Sequence, residues 1–581
     1  MPDEFDVGDI VFAGYPTAHV YTIGRNDEGK LARQKCKHLL WGDWIKVSDY
    51  DFVTDHDADE LKPPFKQAEE QAVHDLLDGM VAVRVRGVDG YMYPQDLSKE
   101  RLLEVVFVDV GQGDGALLVT PDDRKYVIDA GEGDNMYRYL RWRFRNFEKA
   151  HTDFDGLIIT HPDKDHYAGF ERLVEDSAVV ASNIWHNGLI EQFGIKPNGR
   201  QDTGTAVRLG ERVDDGGQHY LTDLMIDDAK LGNFLADKDR WVKRSTGRPK
   251  EFPDLLNTAR EAKDQAGTRR FGDIAMLSTA HGEIADGKSY LSGHAPGNQS
   301  GCEIEIVGPV VEPDNAGKPR LRTFSSKPQE KTAGMNVGKT KNGHSVLLRL
   351  EYRKLTLLLG GDLNSPAEMF LLSHATGRNA IDADEDAQKE IVEEASAVFG
   401  ADVAKACHHG SADFTDLFLN VVKPAATVIS SGDEESHAHP RCDTLGAIGL
   451  RGHGWRPLIF STELARSTRE FTNRDDTPWF KAAKLEGEAD KTDDPDKKAE
   501  LLRQARILWE DEAETNVTVY GSINLRSNGE RVVLAYMLEK PSVSNRWDVY
   551  PLEPDGDGKL AYLPVKEAVK AEKKRREAAA G

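Results

Sequence analysis

Cysteine is scarce in this sequence: there are four in 581 residues, Cys36, Cys302, Cys407 and Cys442, and none belongs to a CxxC pair. That spacing excludes a disulfide framework and a cysteine-bound zinc site, and leaves four ordinary reduced thiols. No run of about 18 consecutive apolar residues occurs, and the stretch from Met1 to Asp9 is acidic where a secretion signal would be basic and then apolar. A cytoplasmic protein without membrane segments is expected. Positive charge is in deficit too, with 75 Lys and Arg against 99 Asp and Glu, a net charge of −24. Such a field repels nucleic acid unless a local basic patch or metal ions intervene.

What is present is a globular composition, 39% apolar and 30% charged, long enough for several domain-sized pieces. Residues 1–100 alternate short β-rich runs with turns (Gly8-Asp-Ile-Val-Phe, Gly42-Asp-Trp-Ile-Lys-Val, Val81-Ala-Val-Arg-Val-Arg), which predicts a small β-barrel with an SH3-like pattern and a polar insertion near Asp51 to His74. From Leu103 the texture changes to nearly continuous apolar runs separated by helical stretches, the pattern of an α/β domain with strands covered on both faces. It resumes from Ser345 to about 465. Between the two blocks, about 187–300 reads as a polar insertion, a helical cap without sheet pattern. A third piece, 466–581, carries a charged helical insertion, closing strands and a charged tail.

The densest chemistry is Thr160-His161-Pro162-Asp163-Lys164-Asp165-His166, after an apolar strand and at the start of a helix. Four potential metal ligands within six residues, imidazole and carboxylate, suit zinc, manganese or iron. Asp129 ends a neighbouring strand, where a carboxylate can orient a ligand. Asp362 follows the strand beginning at Leu355 and two glycines, placing it at a sheet edge where it could bridge two ions. His408 and His409 follow the run Ala401–Cys407, and either could complete a metal site. His439 precedes Pro440, a good first helical residue, which predicts a helix N-terminus that favours an anion.

Together these motifs resemble the metallo-β-lactamase fold family, in the HxDxDH form of the soluble domain of ComEC-type DNA-uptake proteins. Asp163 stands where the common signature has its second histidine. Asp109-Val-Gly-Gln-Gly-Asp-Gly resembles the family's DVGQGD turn, Ile128-Asp129-Ala-Gly131 its IDAG motif, Gly361-Asp362 its GD motif, Cys407-His-His-Gly-Ser411 its HHGS motif, and His439-Pro440 its closing GHP. The matching segments, 103–175 and 345–450, cover about a third of the chain. The resemblance implies an αββα sandwich and two divalent ions, Zn2+ or Mn2+, held by His161, Asp163, Asp165, His166, Asp362 and one or both of His408 and His409, with Asp129 behind them. It implies catalytic roles for Asp165 and for His439, which would contact the substrate or protonate the leaving group. A further histidine common in such sites is not evident; His186, His281, His294 and His344 are all open.

Two segments bear on the substrate. Residues 316–354 hold ten Lys or Arg against Glu330 and Glu351, a basic stretch leading to Asp362. Lys339 and Lys341 there, with Ser411, are candidates for holding a phosphodiester backbone. Tyr137 to Phe147 interleaves Arg138, Arg141, Arg143 and Arg145 with aromatics, and is expected to bury its aromatic face and leave its arginines in water. The function expected is a phosphodiester hydrolase, a DNA nuclease in which a hydroxide bridging two ions attacks phosphorus. A hydrolase of a small phosphodiester and a non-catalytic binding module are the alternatives, and the N-terminal barrel would dock a protein partner or the rest of the same chain, away from the metals.

Overall fold

Residues 5–55, 69–144, 153–193, 208–242, 251–325, 335–432, 438–462, 478–492, 494–515 and 521–580 are described by a computed structural model of the chain. The architecture is mixed α/β with several sheets. Two compact units form: residues 1–103 with 524–554 and 562–581, and residues 104–523 with 555–561. The expected third piece, 466–581, is therefore divided between them. Among the described residues no helix is long and apolar enough to cross a membrane.

In the first unit, seven antiparallel strands run in the order Leu31–Leu40, Thr17–Arg25, Val88–Met92, Val81–Val85, Trp44–Val47, Ile10–Ala13 and Leu97–Ser98. Their alternation puts every second side chain inside, as in Trp44-Ile-Lys-Val, where Ile45 and Val47 are buried. Val11, Val20, Leu39, Ile45, Val83 and Met92 form the core. The late strands belong here through contacts no local pattern reveals: Tyr15 donates to Glu553 Oε1 at 2.8 Å, and the Arg546 amide donates to His38 Nδ1 at 2.9 Å.

The second unit holds two large sheets. One runs Phe271–Met276, Val180–His186, Gly156–Ile159, Lys125–Ala130, Gly115–Val119 and Leu103–Phe107, parallel through the first four and antiparallel after. The other runs Glu283–Ala285, Lys288–Tyr290, Cys302–Gly308, Leu347–Tyr352, Leu355–Leu359, Val403–Lys405, Ala426–Ile429 and Leu458–Ser461, parallel from Leu355 onward. The inner parallel strands Gly156–Ile159, Leu355–Leu359 and Ala426–Ile429 are almost wholly apolar, as strands covered on both faces are.

Helices Ser365–Thr376, Glu385–Phe399 and Asp416–Val422 pack Phe370, Leu371, Ile391, Phe399 and Phe418 against Leu347 and Leu358 of the second sheet. Each begins at a residue whose side chain accepts a backbone amide: Asn364 from Ala367, Asp384 from Ala387, Thr415 from Phe418. The segment expected as a polar insertion is shorter than 187–300. Residues 271–276 extend the first sheet, and 283–290 open the second. These strands alternate or carry charge, as in Phe-Gly-Asp-Ile-Ala-Met, and so lack the continuous apolar run by which the inner strands are read.

Candidate metal centre

The functional side chains gather where parallel strands of the two sheets end, the usual position for a site in α/β architecture. Asp129 comes from the end of Lys125–Ala130, His161 to His166 follow Gly156–Ile159, Asp362 follows Leu355–Leu359, and His408 and His409 follow Val403–Lys405. Backbone geometry aims them. A bulge between Ile128 and Ala130 leaves Asp129 at φ 55°, which turns its side chain toward Thr160 and His166. His408, His409 and Gly410 are three successive left-handed residues at φ 50°, 53° and 77°. Such backbone costs about 1–3 kcal/mol for a non-glycine residue and persists where the surroundings hold it. Gly113, at φ +106°, lies so close to the helix start that a Cβ would fall 1.7 Å from the Asp165 carbonyl oxygen; the Asp114 amide donates to that oxygen at 3.2 Å.

Asp362 Oδ2 is the hub. His409 Nε2 lies 3.3 Å away, His166 Nε2 3.4 Å, and His161 Nε2 and His408 Nε2 3.9 Å each. His409 Nε2 is also 3.4 Å from Asp165 Oδ2. Donors around a tetrahedral ion with bonds of about 2.0–2.1 Å sit roughly 3.3 Å apart, so these spacings suit a metal. Donor atoms fall within 4.8 Å of one another in four overlapping trios: His161, His166 and Asp362; Asp165, His166 and His409; Asp114, Asp129 and His166; Asp114, Asp362 and His409. The Nε2 atoms of His161, His166 and His409, and Oδ1 of Asp362, are buried without a hydrogen-bond partner. Buried polar atoms are nearly always paired, and a set of unpaired imidazole nitrogens facing carboxylates is the donor chemistry of a divalent ion. The residues fit such an ion.

The other nitrogens are held. Asp129 Oδ2 lies 2.8 Å from His166 Nδ1 and accepts from the Thr160 hydroxyl at 2.6 Å, while Oδ1 accepts the Thr160 amide at 2.8 Å. His409 Nδ1 lies 3.1 Å from both Asp114 Oδ1 and the Ser430 carbonyl. Lys405, buried, forms an ion pair with Asp114 Oδ2. Asp114 and Lys405 thus join the site although neither stands out as a site residue in the sequence. The signal was a carboxylate starting the apolar strand at Gly115 and a lysine in the apolar run before His408.

Other expected residues adjoin this set: Asp163 Oδ2 lies 3.5 Å from His161 Nε2 and His408 Nε2 3.9 Å from Asp362 Oδ2. Asp163 pairs with Lys341, which also pairs with Glu191, and it enters none of the trios. Of the adjacent pair, His409 is 5% exposed and enters two trios; His408 enters none among the described residues. The ring of His439 lies 5.8 Å from that of His408 and 6.3 Å from that of His409. Pro440 does not open a helix, which starts at Cys442 after Arg441, so His439 precedes it by three residues; its neighbours Ser436 and His437 lie outside the described residues. The Ser411 hydroxyl accepts the Asp413 amide.

The four open histidines are engaged or apart. His344 Nε2 is 2.7 Å from the Arg322 carbonyl, His294 bridges Tyr126 and the Cys302 carbonyl, and His281 Nδ1 contacts Ser278. His186 Nδ1 accepts the Gly188 amide, and burial alone pushes its pKa down to about 4.

Five of the ten cations of the basic stretch are in ion pairs. Arg320 pairs with Asp215, Arg322 with Glu312, Lys339 with Asp413, Lys341 with Asp163 and Glu191, and Arg349 with Glu351. Lys327 and Lys331 lie outside the described residues. Likewise helix Asn135–Arg143 buries Met136, Tyr139 and Leu140, but its arginines are paired: Arg138 with Asp134, Arg141 with Glu486, Arg143 with Glu104. Arg145 is outside the described residues.

Electrostatics at the centre oppose desolvation. Burial disfavours imidazolium at His166 and His409, but Asp362 and Asp129 outweigh it at His166, and Asp362 and Asp114 at His409, so both pKa values stand well above the ordinary histidine range. Burial likewise opposes ionisation of Asp362 and Asp165, yet His409 and His166 hold Asp362 well below its usual value, and His166 with His409 bring Asp165 down to about 2. A histidine raised above its unfolded value of about 6.5 stabilises fully below that pH, and the contribution is lost as pH rises through the folded value. The chelated protein is therefore expected to lose thermal stability above neutral pH. Divalent metal should bind more tightly over the same range, because it displaces those protons. Titration calorimetry in buffers of different ionisation enthalpy counts them, and release of fewer than about one proton per ion would contradict this.

The chain matches no protein-family profile, and no curated protein sequence matches it.

Proposed function

We propose that this chain is a metal-dependent phosphodiester hydrolase, a DNA nuclease of the metallo-β-lactamase type. The observation that carries the reading is the convergence of Asp165, His166, Asp362 and His409, with His161 beside them, around unpaired imidazole nitrogens. In the same reading the two sheets of the second unit with their helices form the αββα sandwich, and the seven-stranded sheet of the first is the SH3-like barrel that docks a protein partner. The ion is Zn2+ or Mn2+; the motifs imply two such ions, and Lys341 bears on the second.

A divalent ion bound by these donors supplies Lewis-acid activation of water and of a phosphoryl oxygen. The chain does the rest. Asp129 and Thr160 hold His166 in one ring orientation, and Asp114, Lys405 and the Ser430 carbonyl do the same for His409. Asp165, at 22% side-chain exposure the most accessible carboxylate of the centre, accepts a hydrogen bond from the attacking water. His439 protonates the leaving oxygen.

A second reading, a small phosphodiester as substrate, is favoured by one observation: five cations of the basic stretch, Arg320, Arg322, Lys339, Lys341 and Arg349, are paired with carboxylates of the chain itself. The two separate in one assay with Mn2+ or Zn2+. Linear and single-stranded DNA should be cut by the wild type and spared by an Asp165→Ala/His166→Ala variant. Cleavage of bis-p-nitrophenyl phosphate alone would select the small-substrate reading, and cleavage of neither would sink both.

A further inference from the structure

A buried cation already stands beside the centre. Lys341, in helix Val337–Gly343, is 7% exposed, and its ammonium is clamped between the carboxylates of Asp163 and Glu191, the latter 9% exposed. The second oxygen of Asp163 is engaged as well: the Asn342 amide, oriented with its nitrogen toward its acceptors, donates to Oδ2 at 3.0 Å, while the unpaired His161 Nε2 stays 3.5 Å away. The carboxylate that a second ion would require is thus held by the protein's own donors. No donor trio among the described residues contains Asp163, His408, His186 or His344, and every trio shares His166 or the pair Asp362 and His409. Apart from the trio of Asp114 and Asp129 at His166 Nδ1, where Asp129 lies 2.8 Å away, these overlapping sets describe one ion's surroundings rather than two. A divalent ion a few ångströms from a buried ammonium would also be repelled with little water to screen it.

We infer that the centre holds a single divalent ion, at Asp165, His166, Asp362 and His409, and that Lys341, fixed between Asp163 and Glu191, is a built-in cation occupying the second ion's place. This rests on reading the site as a metal centre. Lys341 is a positioning residue: it keeps Asp163 away from the ion and supplies a fixed positive charge that neither dissociates nor depends on metal supply.

The test counts ions on the full chain, stripped with chelator, re-equilibrated with excess Mn2+ and desalted. One Mn2+ per chain by mass spectrometry, with the paramagnetic resonance spectrum of an isolated ion, is the expected result. Two ions per chain with a spin-coupled spectrum would overturn the inference while leaving the hydrolase reading intact. Absence of bound Mn2+ and Zn2+ would overturn the metal-centre reading itself. Lys341→Gln keeps an N–H donor toward Asp163 and removes the charge; folded variant should take up a second ion, and a folded variant that stays at one would refute the role given to Lys341. Should that variant not fold, the wild-type count and spectrum still decide.

Discussion

Asp362→Ala is expected to strip the chain of bound divalent metal and to lower phosphodiester cleavage at least about 10³-fold, equivalent to roughly 4 kcal/mol of transition-state stabilisation. The size follows from position. Oδ2 of this residue is the common neighbour of four imidazole Nε2 atoms at 3.3 to 3.9 Å, and among the described residues no other carboxylate reaches both His161 and His409. Alanine removes the hub and leaves the imidazoles converging on an apolar methyl. The fold should survive, since the backbone amide of residue 362 still donates to the Ser345 hydroxyl at 2.9 Å, a bond the substitution does not touch. Metal content and cleavage rate measured on the same preparation check this. A variant that keeps a full complement of metal, or more than about a tenth of the rate, would contradict the placement of the ion.

Asp129→Asn should weaken metal binding about 10–100-fold while the protein stays folded, because loss of a partner behind a ligating histidine typically has that effect. Asparagine tolerates the positive φ of 55° at this bulge, so backbone strain does not confuse the result. What changes is charge and acceptor capacity: the carboxylate serves the Thr160 amide, the Thr160 hydroxyl and His166 Nδ1 at once, and a neutral amide cannot accept all three. A raised metal Kd with cleavage restored at high metal marks a positioning role. Asp129→Ala should be worse, destabilising the folded chain by about 3–5 kcal/mol, because it leaves buried partners without a counterpart. An Asp129→Asn variant with unchanged metal Kd would contradict the account.

The parts of the site legible in sequence were those written as dense local patterns at strand ends. His161, Asp165, His166, Asp362 and His409 come together because each directly follows an apolar strand whose parallel neighbours end at the same edge. Pairings between distant residues were not legible. Asp163 has the right spacing for a ligand, but Lys341, 178 positions away, takes it. The basic stretch has the right composition for a polyanion, yet its partners Asp215, Glu312 and Asp413 lie outside it in sequence. The joining of residues 524–554 to the N-terminal strands is likewise a matter of long-range contact. Only the local part of the fold's grammar, strand texture and helix caps, is carried by neighbouring residues.

The claim that Asp165, His166, Asp362 and His409 hold the reactive ion is tested most directly by anomalous diffraction from crystals grown with Mn2+ or Zn2+ and recorded on both sides of the metal absorption edge. The expected result is one peak, about 2.0–2.2 Å from His166 Nε2, His409 Nε2 and Asp362 Oδ2, with the Lys341 ammonium still between Asp163 and Glu191. A peak bound elsewhere on a protein that still cleaves phosphodiesters, with these four side chains unliganded, would contradict it.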